Sequence, residues 1–240
     1  MSADPWDDHA AWWQEQFTDG VDPEYVEQIL PLIGDHLPDA GLVIDVGCGE
    51  GQVARLAADA GLTAIGVDAA GAQLVEARRR AGGPVYLQGS ATDLPVADGC
   101  AAAVVACLVF EHFADLDAAV AEVARVLRPG GRYLFLMNHP LLQTPGSGWI
   151  DDQMLDPPEQ YWRVGPYLAE AEVVEEFEHG VHIRFFHRPL SRYVNGAIEA
   201  GLDLAVMVEP TPPPGFLALA EEYEDIATIP RLLFMEFRRR

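Results

Sequence analysis

The stretch VIDVGCGEGQ, Val43 to Gln52, places glycines at 47, 49 and 51 directly after a short apolar run. Alternate glycines let a strand turn tightly into a helix while its backbone approaches a ligand closely. Two acids belong to the same stretch: Asp45, two residues ahead of the first glycine, and Glu50, between the second and third. A dinucleotide fingerprint needs G-x-G-x-x-G and a helix N-terminus facing a pyrophosphate, but position 52 here is Gln52. A carboxylate at 45 would repel a pyrophosphate, whereas it suits an ammonium group or a sulfonium. Asp68 follows Gly51 by seventeen residues, where a carboxylate can accept from both ribose hydroxyls; this feature fits a nicotinamide dinucleotide equally well. Asp45 and the glycine spacing together disfavour the dinucleotide.

Groups able to move a proton come later in the chain. His112 follows Glu111 and His139 follows Asn138, each at the expected end of a strand, on the side where open α/β sheets bind ligands. Imidazole titrates near neutrality, so both are candidates for proton transfer, and each is also readable as a hydrogen-bonded wall residue. Cys107 stands at the end of the first of these strands as a buried wall residue. His187, Arg188 and Tyr193 in HRPLSRY are candidates for the acceptor pocket, and Trp149, Tyr161, Trp162 and Tyr167 suggest an aromatic-lined lid.

Positioning these residues requires alternating strands and helices. GLVIDVG, TAIGVDA, PVYLQGS, CAAAVVACLVFEH and RYLFLMNHP read as five strands; GQVARLAADAG, AGAQLVEARRRAG and DLDAAVAEVARVLRPGG read as the helices between them, the last stopped by Pro129-Gly130-Gly131. That order is the signature of βαβ units and a parallel sheet. Ahead of it, Asp22 to Leu37 reads as an amphipathic helix and Asp4 to Phe17 as an aromatic-rich segment. Behind it, AEVVEEFEHGVHIRFFHR reads as a hairpin joined at His179-Gly180, SRYVNGAIEAG as a helix, LDLAVMVEP and RLLFMEFRR as two further strands, and PTPPPG as a rigid loop.

On these residues the chain resembles the class I S-adenosylmethionine-dependent methyltransferases. VIDVGCGEGQVARLA is similar to their first motif, AIGVDAA to the ribose-binding second, GSATDLPVADG to the adenine-binding third, and VFEHFADLDAAVAEVARVLRPGGRYLFL to the fourth and fifth. The resemblance runs from Leu42 to Met137 and implies a doubly wound, Rossmann-like α/β fold: a seven-stranded, mostly parallel sheet with a reversed C-terminal hairpin and a small lid insert. It implies S-adenosyl-L-methionine as cofactor. Gly47, Gly49 and Gly51 would admit the methionine moiety, Asp45 would hold its amino group, and Asp68, followed by Ala69, would hold the ribose. Ser90 and Ala91 fall where the family contacts adenine; serine departs from the usual acid or amide, which leaves Asp93 as an alternative. In similar proteins the segment carrying Trp12 and Trp13 folds over the cofactor, which makes Trp13 a cofactor-contact candidate beside Cys107.

The 240 residues fit one methyltransferase domain, with 1–40 a helical cap and 140–188 a substrate lid insert over the sulfonium side. The formal charge of −23, with all fifteen basic residues arginine, repels phosphate backbones and anionic lipid, so neither nucleic acid nor membrane is an expected partner. Without lysine, Schiff-base chemistry and P-loop phosphate binding are excluded. The three cysteines show no metal or disulfide spacing. A cytoplasmic enzyme transferring methyl to O, N or C of a small, partly apolar or cationic molecule is expected. A nicotinamide-dependent oxidoreductase and a non-catalytic cofactor-binding scaffold are the alternatives.

Overall fold

The computed structural model describes residues 5–18, 21–177, 180–219 and 225–240. Seven strands form one sheet: β1 (Leu42–Val46), β2 (Thr63–Asp68), β3 (Val85–Gln88), β4 (Ala101–Cys107), β5 (Leu127–Asn138), β10 (Leu202–Val208) and β11 (Leu232–Arg239), in the order β10-β11-β5-β4-β1-β2-β3. The pairs β1–β2, β1–β4, β2–β3 and β4–β5 are parallel. β11 runs antiparallel to both β5 and β10, the reversed hairpin that the family resemblance implies. The chain order reverses between β1 and β4, so a crevice opens beyond their carboxyl ends.

Helices cover both faces, which is why the central strands are continuously apolar rather than alternating. On one face Ile44, Val46, Val104 and Phe135 pack with Leu116, Val120 and Val123 of α5 (Leu116–Val126) and Tyr193 and Ala197 of α6 (Leu190–Glu199). On the other, Val43, Val105, Leu134 and Phe234 meet Val53 and Ala57 of α3 (Gln52–Asp59) and Ile29 and Ile33 of the N-terminal segment. α5 starts where the Asp115 side chain accepts from Ala118 N at 3.0 Å, an N-cap that satisfies one orphan donor. α4 (Gly71–Arg80) ends on Arg78, Arg79 and Arg80, cations suited to the negative end of the helix dipole.

Several elements differ from the sequence reading. The expected helix at 22–37 is a π-turn over Tyr25–Ile29 followed by α2 (Leu30–His36), preceded by α1 (Ala10–Phe17). α5 stops at Val126, and Leu127 already pairs with Ala101, so Pro129-Gly130-Gly131 forms an irregularity at the start of β5 rather than the end of a helix. The fourth strand ends at Cys107, and Phe110–His112 is a 3-10 turn. The insert holds a hairpin that the sequence did not announce, β6 (Gly148–Asp152) with β7 (Glu159–Arg163), and then the expected one, β8 (Ala171–Phe177) with β9 (Val181–His187). His179, at the expected junction of the second hairpin, lies outside the described residues. A short helix, α7 (Pro214–Leu219), continues from the proline-rich loop. Among the described residues no helix is long and apolar enough to cross a membrane, and no group of three or more His, Cys, Asp or Glu could hold a metal.

Candidate active site

The glycine turn is built by tying β1 to β2. Gly47 N and Cys48 N both donate to Val67 O, at 2.8 and 3.1 Å. A side chain at 47 would collide with Val109 of the neighbouring loop. At Gly49, φ is +51° and an added Cβ would meet nothing nearer than Gln73 Cδ at 4.0 Å, so this backbone faces open space. That space is a cavity of about 540 Å³ above the carboxyl ends of β1, β2 and β4, a size ordinary for a cofactor with a small substrate.

Three carboxylates stand at one end of it. Asp68 brackets the turn, Oδ2 accepting from Gly49 N and Oδ1 from Ala70 N, both at 2.8 Å. A carboxylate oxygen has two lone pairs and can accept from a hydroxyl as well as from a backbone N–H. Asp45 is buried and accepts from Ala54 N at 3.0 Å; burial pushes its pKa up to about 7, the Asp68 and Glu50 charges add to the rise, and the Ala54 N–H and Arg55 oppose it. Glu50 Oε2 meets Arg55 at 2.6 Å and Arg80 at 3.0 Å, which compensates one buried charge. The region therefore presents Asp68 and a proton-responsive Asp45 beside a backbone cradle, and a cation neutralises it better than a phosphate does.

The other walls come from the cap, the loop after β4 and the second hairpin. Trp13 stacks on Phe17 at 4.3 Å, and Trp6 meets Trp13 edge-on at 5.8 Å. The cap is fastened across the turn by Asp7 Oδ1 accepting from Ala72 N at 2.8 Å, Gln14 Nε2 donating to Gln73 at 2.9 Å, and Gln52 Nε2 donating to Phe17 O at 3.1 Å. Leu108, just past β4, is held at φ +53°, a strained conformation for a residue with a branched side chain, and it lines the cavity. Burial pushes the thiol of neighbouring Cys107 well up, so it is an inert wall.

Of the sequence-nominated residues, Asp45, Gly47, Gly49, Asp68, Ala69, Ser90, Ala91, Cys107, Trp13 and His112 all line this cavity. Gly51, Asp93 and His139 do not. Gly51 has φ +91° and opens α3, and a Cβ there would collide with Tyr86, so its duty is structural. Asp93 donates its N–H to Ser90 O at 3.1 Å, closing a turn, while the Ser90 hydroxyl bonds Thr92 at 2.8 Å. His139 is buried, with Nε2 3.0 Å from Glu209 and Nδ1 accepting from Leu141 N at 3.1 Å, so its ring joins β5 to the segment after β10 and reaches no ligand space. Burial lowers its pKa against the opposing Glu209 carboxylate.

The aromatics of the insert are also redistributed. Trp149 and Trp162 meet edge-on at 5.7 Å around a separate cavity of about 230 Å³ shared with Phe216 and Arg231. Tyr167 takes Leu190 N on its hydroxyl and His187 Nε2 on its carbonyl. Among the described residues, only the β8–β9 half of the insert reaches the main cavity, through Val174, His182, Ile183, Arg184 and Phe186. Arg188 bonds the carbonyls of Phe113 and Ala114 at 2.7 and 2.8 Å. Tyr25 and Gln73 are wall residues that no motif or spacing nominates: the π-turn resets the helical register at Tyr25, and Gln73 is brought in by α4 packing.

A methyltransferase-domain family model matches residues 44–135. The malonyl-[acyl-carrier protein] O-methyltransferase of Serratia marcescens is 35% identical over 124 residues, 51% of this chain and 48% of that protein. The fatty-acid O-methyltransferase of Mycolicibacterium smegmatis is 34% identical over 107 residues, 43% of this chain and 39% of that protein. The chain thus spans about half the length or less of these curated relatives. A putative S-adenosylmethionine-dependent methyltransferase structure from Listeria monocytogenes superposes with a TM-score of 0.75 at 24% identity, covering 90% of this chain and 96% of that one. One from Mesorhizobium loti gives 0.74 at 23%, covering 87% and 96%. At these identities the structures establish the shared fold.

Proposed function

We propose that this chain, whose residues 44–135 match a methyltransferase-domain family model, is a class I S-adenosylmethionine-dependent methyltransferase acting on a small molecule. One observation carries the reading: the Gly47–Gly49 backbone, Asp45 and Asp68 line one cavity with an acidic end. The chain has no lysine to receive a pyrophosphate there, and the arginines beside the turn, Arg55 and Arg80, are paired with Glu50. In this reading Asp45 holds the cofactor's amino group, Gly47 and Gly49 admit its methionine part, Asp68 and Ala69 take the ribose, and Ser90 and Ala91 flank the adenine. Trp13 and Tyr25 close the site from the cap.

Bound S-adenosylmethionine supplies an electrophilic methyl on a positively charged sulfur. The protein's part is to orient the acceptor in line and exclude water, which positioning alone can make worth roughly 7 to 11 kcal/mol. The cap and β8–β9 provide that enclosure. We read residues 1–40, the sheet and the insert 140–188 as parts of one functional unit, with β8–β9 acting as the lid and β6–β7 packed elsewhere. The two relatives named above are O-methyltransferases, which favours oxygen as the accepting atom.

Calorimetric titration with S-adenosylhomocysteine and, separately, with NAD tests this. Binding of the first and not the second is expected. The reverse would place the chain among dinucleotide enzymes and end this reading.

A further inference from the structure

We propose that the methyl acceptor is a phenol, a small aromatic molecule with an un-ionised hydroxyl, and that His112 Nε2 takes its proton. This rests on the methyltransferase reading above. His112 lines the cavity, and its Nδ1 lies 2.8 Å from the backbone carbonyl oxygen of Arg184. A carbonyl can only accept, so Nδ1 carries the hydrogen and Nε2 presents its lone pair. The ring is held between Trp6, edge-on at 4.9 Å, and Phe185 at 4.6 Å, so its direction is fixed before any acceptor arrives. Burial lowers its pKa from 6.5, with the Glu111 carboxylate and the Arg184 carbonyl opposing, which keeps the imidazole neutral at pH 7.

The surroundings discriminate between acceptors. Glu111 on its own turn acts on this ring electrostatically, the Arg184 carbonyl touches it, and the side chains of Arg184 and His182 from β9 and His9 from the cap belong to residues that line the same cavity. A carboxylic acid is ionised at neutral pH, needs no base and calls for a cation. The Arg184 side chain is exposed and pairs with Glu172 at 3.3 Å, and Arg188, which gives one guanidinium nitrogen to two loop carbonyls, is not among the residues that line the cavity. An alkylamine arrives protonated, with no lone pair until its proton has been removed ahead of transfer. A phenol differs because its oxygen keeps a lone pair while protonated, and its O–H becomes far more acidic as the new bond forms, so a weak, neutral base suffices. Trp6, Val109, Phe113 and Phe186 give flat apolar walls for a ring.

In this step the phenol oxygen forms a bond to the methyl carbon, the carbon–sulfur bond breaks with its electron pair left on sulfur, and the proton moves to His112 Nε2 and then to solvent. The positive charge of the sulfonium is thus carried away as that proton.

The experiment follows release of S-adenosylhomocysteine from S-adenosylmethionine with simple phenols, benzoic and octanoic acids, and benzylamine, as a function of pH. Phenols are expected to turn over, with kcat at saturating S-adenosylmethionine, where the protonation of Asp45 no longer limits cofactor binding, rising through a pKa below 6.5 to a plateau. His112→Gln, which retains a side-chain N–H for the Arg184 carbonyl, should bind S-adenosylhomocysteine within about twofold of wild type and lose roughly 10²- to 10⁴-fold in kcat together with the rising limb. His112→Ala should recover part of its rate with added imidazole. Preferred turnover of the acids or the amine, a flat pH profile with phenols, or unchanged turnover in His112→Gln would overturn the proposal. Failure of the wild type to bind S-adenosylhomocysteine defeats the methyltransferase reading itself; binding without transfer to any phenol defeats the acceptor class alone.

Discussion

Replacing Asp45 by asparagine should make the protein more stable and a poorer binder at the same time. Burial raises the Asp45 pKa from 3.8 to about 7, so the folded state holds this proton more tightly than the unfolded chain does. The sign follows: below the unfolded value near 4 Asp45 is protonated in both states and costs nothing electrostatically, between pH 4 and 7 stability is progressively lost, and above 7 the loss is complete. About three pKa units at 1.36 kcal/mol each set a ceiling of about 4 kcal/mol for that loss. The substituted amide would keep an oxygen for Ala54 N at the observed 3.0 Å but would bring an NH2 group with no acceptor assigned, a pH-independent cost of about 1 to 3 kcal/mol. That cost cancels when the variant is compared with wild type at two pH values. Urea unfolding of both proteins without cofactor should therefore show the gap in stability moving in favour of Asp45→Asn by about 2 to 4 kcal/mol between about pH 4.5 and pH 8. Calorimetry at about pH 8 should show S-adenosylhomocysteine bound more weakly by about 1.5 to 3 kcal/mol, the worth of a hydrogen bond to a charged group. In the wild type the ligand's ammonium favours ionised Asp45, so affinity should be flat above about pH 7 and fall by up to about tenfold per unit below it. A stability gap independent of pH, or unchanged affinity in the variant, would refute the assignment.

Other substitutions separate binding from folding. Asp68→Ala should weaken S-adenosylhomocysteine by about 1.5 to 3 kcal/mol in calorimetry, and unchanged affinity would remove Asp68 from the ribose site. Gly49→Val places a branched side chain at φ +51° in the open space of the cavity; binding should be abolished while circular dichroism still reports a folded chain, at about 1 to 3 kcal/mol of backbone strain in unfolding experiments. Asp115→Ala removes the N-cap of α5, 3.0 Å from Ala118 N, and should lower stability by about 1 kcal/mol with S-adenosylhomocysteine affinity unchanged.

The cofactor end of the site was legible because it is local. Asp45, Gly47 and Gly49 lie within one strand and its turn, and Asp68 closes the next strand, so chain spacing alone brings their backbones together once β1 and β2 pair. The five parallel strands and the existence of two further ones followed in the same way, from apolar runs and helical periods that act over a few residues, while the reversal of the last pair was what the family resemblance implied. The acceptor end was not legible. His112 and His139 follow adjacent parallel strands and look alike in sequence, yet one turns into the cavity against Trp6 and Phe185 while the other is taken by Glu209, seventy residues on. The insert's aromatics divide between two cavities according to which hairpin carries them. Fold class, the glycine turn and the acids around it thus follow from the order of residues along the chain. Which histidine faces ligand, its tautomer and the enclosure above it follow from packing instead, because they depend on contacts between elements far apart in the chain, and no local period encodes such contacts.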